Sequence, residues 1–575
     1  MRAARVTRRV AGVAIGVAIS TPLAAQSPAS AADVIVRGEL GARADSFLTR
    51  AARFGLSGSI VVARKGEVVL QRGYGLADRE RAAAIGPDTP FFVGSLAKQF
   101  TATAILRLAA DGKLALSDSL GALFPDAPAD KRAITIRQLL SHTSGLPYLP
   151  SAGLFGAGTR DSVMREMLGE RLEFQPGARY GYSTPGYILL AGVIERASGE
   201  TYEQYLRSLF ERAHLTSTGF VGDHARWLGS PVRSYADDRA EESLADLPPL
   251  PRFVGAGSIV STTRDLYRWY TALQGDDLLP NAAELFAPSV RIGSNVRGAL
   301  AWMIVDLPTG TLRQAAGDIG GFNAELRDYV DEGLVVAFAS NARVRGRGYR
   351  EIVMNTVARL SRGAAIPFPP VVEAVRESQL RSLPGVYSLP DSGSVAVWAA
   401  GDSLMVGARD AAGIAVLAGH DSTAARRAAA LDARTAQFIA SLGASDADAE
   451  PFVHPSIPAD ARREYLERLR TLIGDSATSH SVIIGTAADS PTSARTYLRA
   501  WHGSEDAIVT LVWAGDRLIG LEDGGRAAYP LRLRASGDDA LVSFDLFSGH
   551  LVRVTMVADR ELAIESNGVT RRMIR

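Results

Sequence analysis

Residues 89–106 read TPFFVGSLAKQFTATAIL, and this stretch decides how the rest of the chain is understood. It holds Ser95 and, three positions later, Lys98. The chain has 63 Lys and Arg in all, but only four of them are lysines: Lys65, Lys98, Lys113 and Lys131. Arginine keeps its proton at any physiological pH, whereas a desolvated lysine gives its proton up. A lysine in a chain that otherwise uses arginine is a candidate base. Ala102, Ile105, Leu106 and Ala109 recur at helical spacing, and Gly112 ends the run. With Ser95 in the first turn of this helix, Ser95 and Lys98 lie on one face. The free N–H groups of the helix start favour an anionic oxygen there. Phe91, Phe92 and Phe100 surround the pair with apolar surface. A neutral Lys98 would take the proton of Ser95, and Ser95 would attack an acyl carbon.

At 575 residues the chain exceeds a single core and implies two to four domains. A net charge of +1 gives no basic excess for nucleic acid. The absence of cysteine excludes disulfides, thiol catalysis and thiolate metal sites. The eight histidines are scattered, with no pair at metal-ligand spacing, so neither a metal nor a cofactor is expected. Residues 1–32 carry Arg2, Arg5, Arg8 and Arg9, then the apolar stretch AGVAIGVAISTPLAA, then small residues. This is the pattern of an export signal. The expectation is a periplasmic or secreted protein without a stable membrane span after cleavage.

Residues 57–72, SGSIVVARKGEVVLQR, read as a hairpin turning at Arg64-Lys65-Gly66. Residues 135–270 are mostly helical patterns, and residues 297–340 return to strands, with a turn at Asp331-Glu332-Gly333. The expected fold class is α/β (α+β): an antiparallel sheet joining both ends of one domain over 33–363, beside a helical subdomain. Residues 364–379 read as a Pro-rich linker. Beyond it, 380–423 with 530–575 read as a small β-barrel-like module, interrupted by an α+β insertion over 424–529. Glycines between Gly55 and Gly75 and the carboxylate of Asp265 read as turn and helix-start residues.

Two further stretches, ITIRQLLSHTSGLP (134–147) and RYGYSTPGYILLAGVIERASG (179–199), together with GAGSIVSTTRDLYRW (255–269), bring a resemblance. Over residues ~50–360 the chain resembles the serine β-lactamase and penicillin-binding protein superfamily, whose first signature is S-x-x-K. The relevant branch holds class C β-lactamases, D-alanyl-D-alanine carboxypeptidases, D-aminopeptidases and related esterases. The resemblance implies Ser95 as nucleophile, with Lys98 and Tyr182 as the proton relay. A phenol beside an ammonium is expected to ionise more readily. The family's Tyr-x-Asn stands here as Tyr182-Ser183-Thr184, so Thr184 offers a short hydroxyl where an amide is usual. The third motif falls on Ala315-Ala316-Gly317. Gly317 permits close backbone approach, and the amides of Ser95 and Asp318 would form the oxyanion hole. Ala315 replaces the residue that usually meets a substrate carboxylate, a loss worth about 1.5–3 kcal/mol. Arg313, two residues back on the same strand face, is a candidate stand-in anchor. His142 reads as a structural residue of a turn. The resemblance thus implies an exported serine hydrolase of the esterase, carboxypeptidase or aminopeptidase type. Its substrates would be esters or amides, small molecules or peptides, D-amino-acid peptides included. The alternative is a catalytically weak or inactive cell-envelope binding protein.

Overall fold

The computed structural model describes residues 34–575 apart from 228–229, 231, 237–238, 345–346, 391–392, 456, 458, 474–478, 489–491, 503–504, 524–527, 538–539, 547 and 559. The expected export signal lies outside the described residues.

The hairpin forms as read. Strands Gly58–Arg64 and Glu67–Tyr74 pair antiparallel. Lys65 and Gly66 both take positive φ, as a tight two-residue turn matched to strand twist requires. Gly58–Arg64 then pairs with the late strand Leu334–Ser340, placing Ile60 opposite Phe338. The two ends of the domain therefore share one nine-stranded antiparallel sheet, with Phe322–Tyr329, Gly310–Ile319 and Met303–Leu307 following in order.

Alternation along the strands builds two cores. Val61 and Ala63 face one cluster with Leu96, Phe100, Ile105 and Tyr187 of the helical subdomain. Ile60 and Val62 face the other, with Phe47 and Leu48 of helix Gly38–Ala52 and Val353 and Val357 of helix Arg350–Ser361. A period of two on a sheet covered on both sides requires this division.

The stretch read as a linker is packed down. Phe368 meets Phe47 edge-on at 5.6 Å and lies under the Arg50 guanidinium, and Arg43 donates to the Ala364 carbonyl at 3.2 Å. Beyond it, strands Gly385–Ser388, Ser394–Ala400 and Ser403–Ala408 close a barrel with five strands between Ala528 and Ile574. Between Ala408 and Ala528 run the long helices Ser422–Ala444 and Ala459–Ile473 and a separate four-stranded sheet. These share their own core around Phe438, Leu469 and Trp513. The barrel meets the nine-stranded-sheet domain just past helix Gly38–Ala52: Phe54 packs on Phe544, and Arg534 donates to the Arg53 carbonyl at 3.0 Å. Phe544 and Leu546 join the core on that face of the sheet, whereas Leu96 and Phe100, beside Ser95, belong to the opposite one.

Candidate active site

Ser95 sits in a single tight turn, Gly94–Ala97, that runs directly into helix Lys98–Ala110. Gly94 opens this turn at φ +52°. The Lys98 ammonium nitrogen lies 3.1 Å from Ser95 Oγ and donates to the Ala256 carbonyl at 2.8 Å. Segment 255–256 is held against the same helix by Thr101, whose hydroxyl donates to the Gly255 carbonyl at 2.6 Å. Lys98 is 2% exposed, and no carboxylate pairs with it among the described residues. Burial alone lowers its pKa to about 7, because the desolvated ammonium loses its hydration without gaining a counter-charge. Near neutral pH Lys98 is therefore poised between its two forms.

Tyr182 stands just before helix Thr184–Ser198, which begins with Ser183 as a side-chain cap. Its phenol hydrogen-bonds Ser95, and the Lys98 nitrogen is 5.0 Å from its ring centre. The expectation that this phenol ionises readily is corrected. Burial pushes its pKa up to about 12; the bond to Ser95 opposes that push, and the Asp318 carboxylate adds to it. Tyr182 is therefore neutral at physiological pH, and Lys98 is the group of the two poised to accept a proton.

His142 does more than turn the chain. It takes φ +58°, the left-handed region that few residues besides glycine, asparagine, aspartate and histidine adopt, and its Nδ1 accepts the Ser183 N–H at 3.0 Å. Its ring stacks on Tyr182 with centres 4.4 Å apart. Burial, with the charge of Lys98 added, lowers its pKa to about 3, so the ring is neutral. Its partners fix the Tyr182–Ser183 backbone and the back of the Tyr182 ring, neither of which sequence spacing reveals.

The strand Gly310–Ile319 runs directly against the serine turn. A Cβ on Gly317 would fall 2.1 Å from the Val93 carbonyl and 2.6 Å from the amide nitrogens of Ser95 and Leu96. Glycine is the residue this approach admits. The Asp318 backbone in turn borders Gly94, at 3.1 Å from the Cβ position to the amide nitrogen. The amides of Ser95 and Asp318 are thus brought to neighbouring positions. The Asp318 carboxylate accepts from Arg350 at 2.9 and 3.2 Å, and Arg350 also reaches the buried Glu325 at 3.2 Å.

Ala315 packs into the core on the helix side of the sheet, opposite Leu326 on the next strand. Arg313 does not serve as a free stand-in cation. Its guanidinium lies 4.4 Å over the Phe286 ring and reaches Asp328 at 3.4 Å. Asp328 is its cross-strand partner, so register hands the arginine a counter-ion before any substrate arrives. Thr184 is buried at the first position of its helix, and its amide donates to the Tyr148 carbonyl at 3.0 Å. Among the described residues no cluster of His, Asp or Glu is arranged to hold a metal, and no helix is long and apolar enough to cross a membrane.

Comparison with known proteins fits this geometry. The Beta-lactamase family matches residues 45–358, more than half of the chain. The chain belongs to the Beta-lactamase family. Among relatives within reach, the putative penicillin-binding protein PbpX of Bacillus subtilis is 34% identical over 220 residues, which is 38% of this chain and 55% of that protein. Penicillin-binding protein 4* of the same organism is 26% identical over 321 residues, covering 51% of this chain and 70% of that one. The chain thus spans about half the length of the first relative. A D-amino acid amidase from Ochrobactrum anthropi shares the fold at TM-score 0.50 and 22% identity, over 57% of this chain and 99% of that one. The family's domain accounts for the sheet and helical subdomain; its match stops before the barrel begins at Gly385.

Proposed function

We propose that this chain is an exported serine hydrolase that forms an acyl-enzyme at Ser95 and acts on esters or amides, D-amino-acid peptides included. The observation that carries the reading is Lys98. A lysine of lowered pKa, buried 3.1 Å from a serine hydroxyl, serves as a base for that hydroxyl. Neutral Lys98 takes the Ser95 proton as Oγ bonds to the acyl carbon. The amides of Ser95 and Asp318 receive the oxyanion, where each donor is worth about 10²–10³ in rate. Lys98 returns the proton through the Tyr182 phenol to the leaving group, and water then releases the acyl group by the reverse relay.

With Ala315 at the third motif and Arg313 engaged by Asp328, the substrates favoured are those that do not need a carboxylate clamp. Thr184, Ala315 and Gly317 then line the site as substrate neighbours. Export rests on residues 1–32 and is checked by N-terminal sequencing of the protein recovered from a periplasmic fraction.

The test of the hydrolase reading is intact-mass spectrometry after exposure to a fluorophosphonate, with Ser95→Ala alongside. A single adduct, lost in Ser95→Ala, is the expected result. A folded protein that takes no adduct would favour a binding protein on a hydrolase scaffold.

A further inference from the structure

The loop that follows the His142 turn carries an exposed aromatic ring into the cleft. Tyr148 is 52% exposed, yet its backbone is fixed, since its carbonyl takes the Thr184 N–H. Its ring centre lies 5.7 Å from that of Tyr182, tilted by 45°. The pKa of the Tyr148 phenol is raised by burial first, then by Tyr182 and the Asp318 carboxylate. The ring therefore lies beside the phenol that bonds Ser95.

The loop is also clamped. The Ser151 amide and hydroxyl both donate to the buried Glu170, at 2.8 and 2.6 Å. Arg252 donates to the Ala152 carbonyl at 3.1 Å and to Glu166 at 3.0 Å. Leu149 and Phe155 of the same loop are exposed as well. Charge around the cleft is spoken for: Arg313 by Asp328, and Arg350 by Asp318 and Glu325. What the mouth offers a substrate is a held aromatic face with no uncommitted guanidinium on the motif strand.

We propose that Tyr148 is a specificity-determining residue, and that it selects uncharged substrates with an aromatic group adjoining the scissile carbonyl, stacked on the Tyr148–Tyr182 pair. The inference rests on the serine hydrolase reading and names the substrate class for it. A ring held beside a nucleophile gives an incoming ring an offset or edge-on partner.

The experiment measures kcat/KM for two matched ester series. One compares p-nitrophenyl phenylacetate with p-nitrophenyl acetate, the other benzyl acetate with ethyl acetate, each with the native chain, Tyr148→Ala and Tyr148→Phe. The p-nitrophenyl monoester of succinic acid supplies a carboxylate. In at least one series the native chain prefers the aromatic member by about 3- to 10-fold, the range expected of one aromatic pair. Tyr148→Phe keeps that ratio, Tyr148→Ala brings it to about 1, and the succinyl ester is the poorest acyl donor. Thermal melting establishes that both variants fold. A ratio unchanged in Tyr148→Ala in both series, or a preference for the succinyl ester, overturns the proposal while leaving the hydrolase reading in place. Failure of Ser95-dependent turnover for every ester would remove the hydrolase reading, and this one with it.

Discussion

The protonation of Lys98 can be read from the pH dependence of Ser95 labelling. The group is buried, carries no counter-charge among the described residues, and has its pKa lowered to about 7 by desolvation. The groups that face it are Ser95, the rings of Tyr182 and Tyr187, and His142. If neutral Lys98 is the base, the second-order rate constant for fluorophosphonate labelling follows the fraction of Lys98 that is neutral. At pH 5, two units below the midpoint, that fraction is about 1%, so labelling runs ~100-fold below its plateau. The rate rises about tenfold per pH unit up to about pH 7 and levels off above about pH 8. Tyr182, near 12, and His142, near 3, add no limb in between. Quenched labelling time courses from pH 5 to pH 10, read by intact mass, give the profile directly. A rate that keeps climbing through pH 10 would assign the base to a group of raised pKa such as Tyr182. A plateau reaching down to pH 4 would assign it to one already neutral there. Either outcome refutes the argument from Lys98 burial.

Three other outcomes follow from the same geometry. Lys98→Met is expected to abolish labelling and yet raise the melting temperature at pH 6. A lysine whose folded pKa is lowered destabilises the fold fully below about pH 7, and this penalty fades as pH climbs toward 10.5. The gain is on the order of 5 kcal/mol at pH 6 and falls to about 1 kcal/mol by pH 9.5–10, so the melting difference between Lys98→Met and the native chain should shrink markedly from pH 6 to pH 9.5. Gly317→Ala puts a methyl 2.1 Å from the Val93 carbonyl and should separate the motif strand from the serine turn. Labelling is expected to fall by about 10²–10³, the scale of a lost oxyanion donor, with melting as the control for folding. His142→Asn keeps an acceptor for the Ser183 amide and tolerates positive φ, but loses the stack on Tyr182. It should slow labelling about tenfold, and should cost nothing further in a Tyr182→Phe background; additive losses would mean that His142 acts elsewhere.

The nucleophile and base were legible because both lie within one helical turn, where spacing alone puts Ser95 and Lys98 together. The hairpin was legible for the same local reason, whereas the division of Ile60 and Val62 from Val61 and Ala63 between two cores is seen only in the fold. Tyr182 and Gly317 came through motif resemblance, because more than 80 residues separate each from Ser95 in sequence. The errors fell where long-range surroundings decide. Proximity of Lys98 argued for an ionised Tyr182, but burial outweighs that proximity, and burial is not written in a tripeptide. Arg313 looked free until strand register set Asp328 across from it. The Ala256 carbonyl that holds Lys98 is main chain, so no residue type marks it. What holds the stretch read as a linker is equally remote: Phe368 packs on Phe47, some 320 residues away in sequence.

The close approach of Gly317 to the serine turn has one more consequence. The positions that would receive the oxyanion are occupied by main-chain amides, whereas the side chains around them, at 313, 315 and 318, point to other partners or to solvent. Such a site separates what can drift from what cannot. Arg313 and Asp318 are held only by side-chain partners, whereas Gly317 between them in the strand is pinned by the lack of room for a single carbon atom. A scaffold of this kind can change what it admits without rebuilding the backbone that meets the serine.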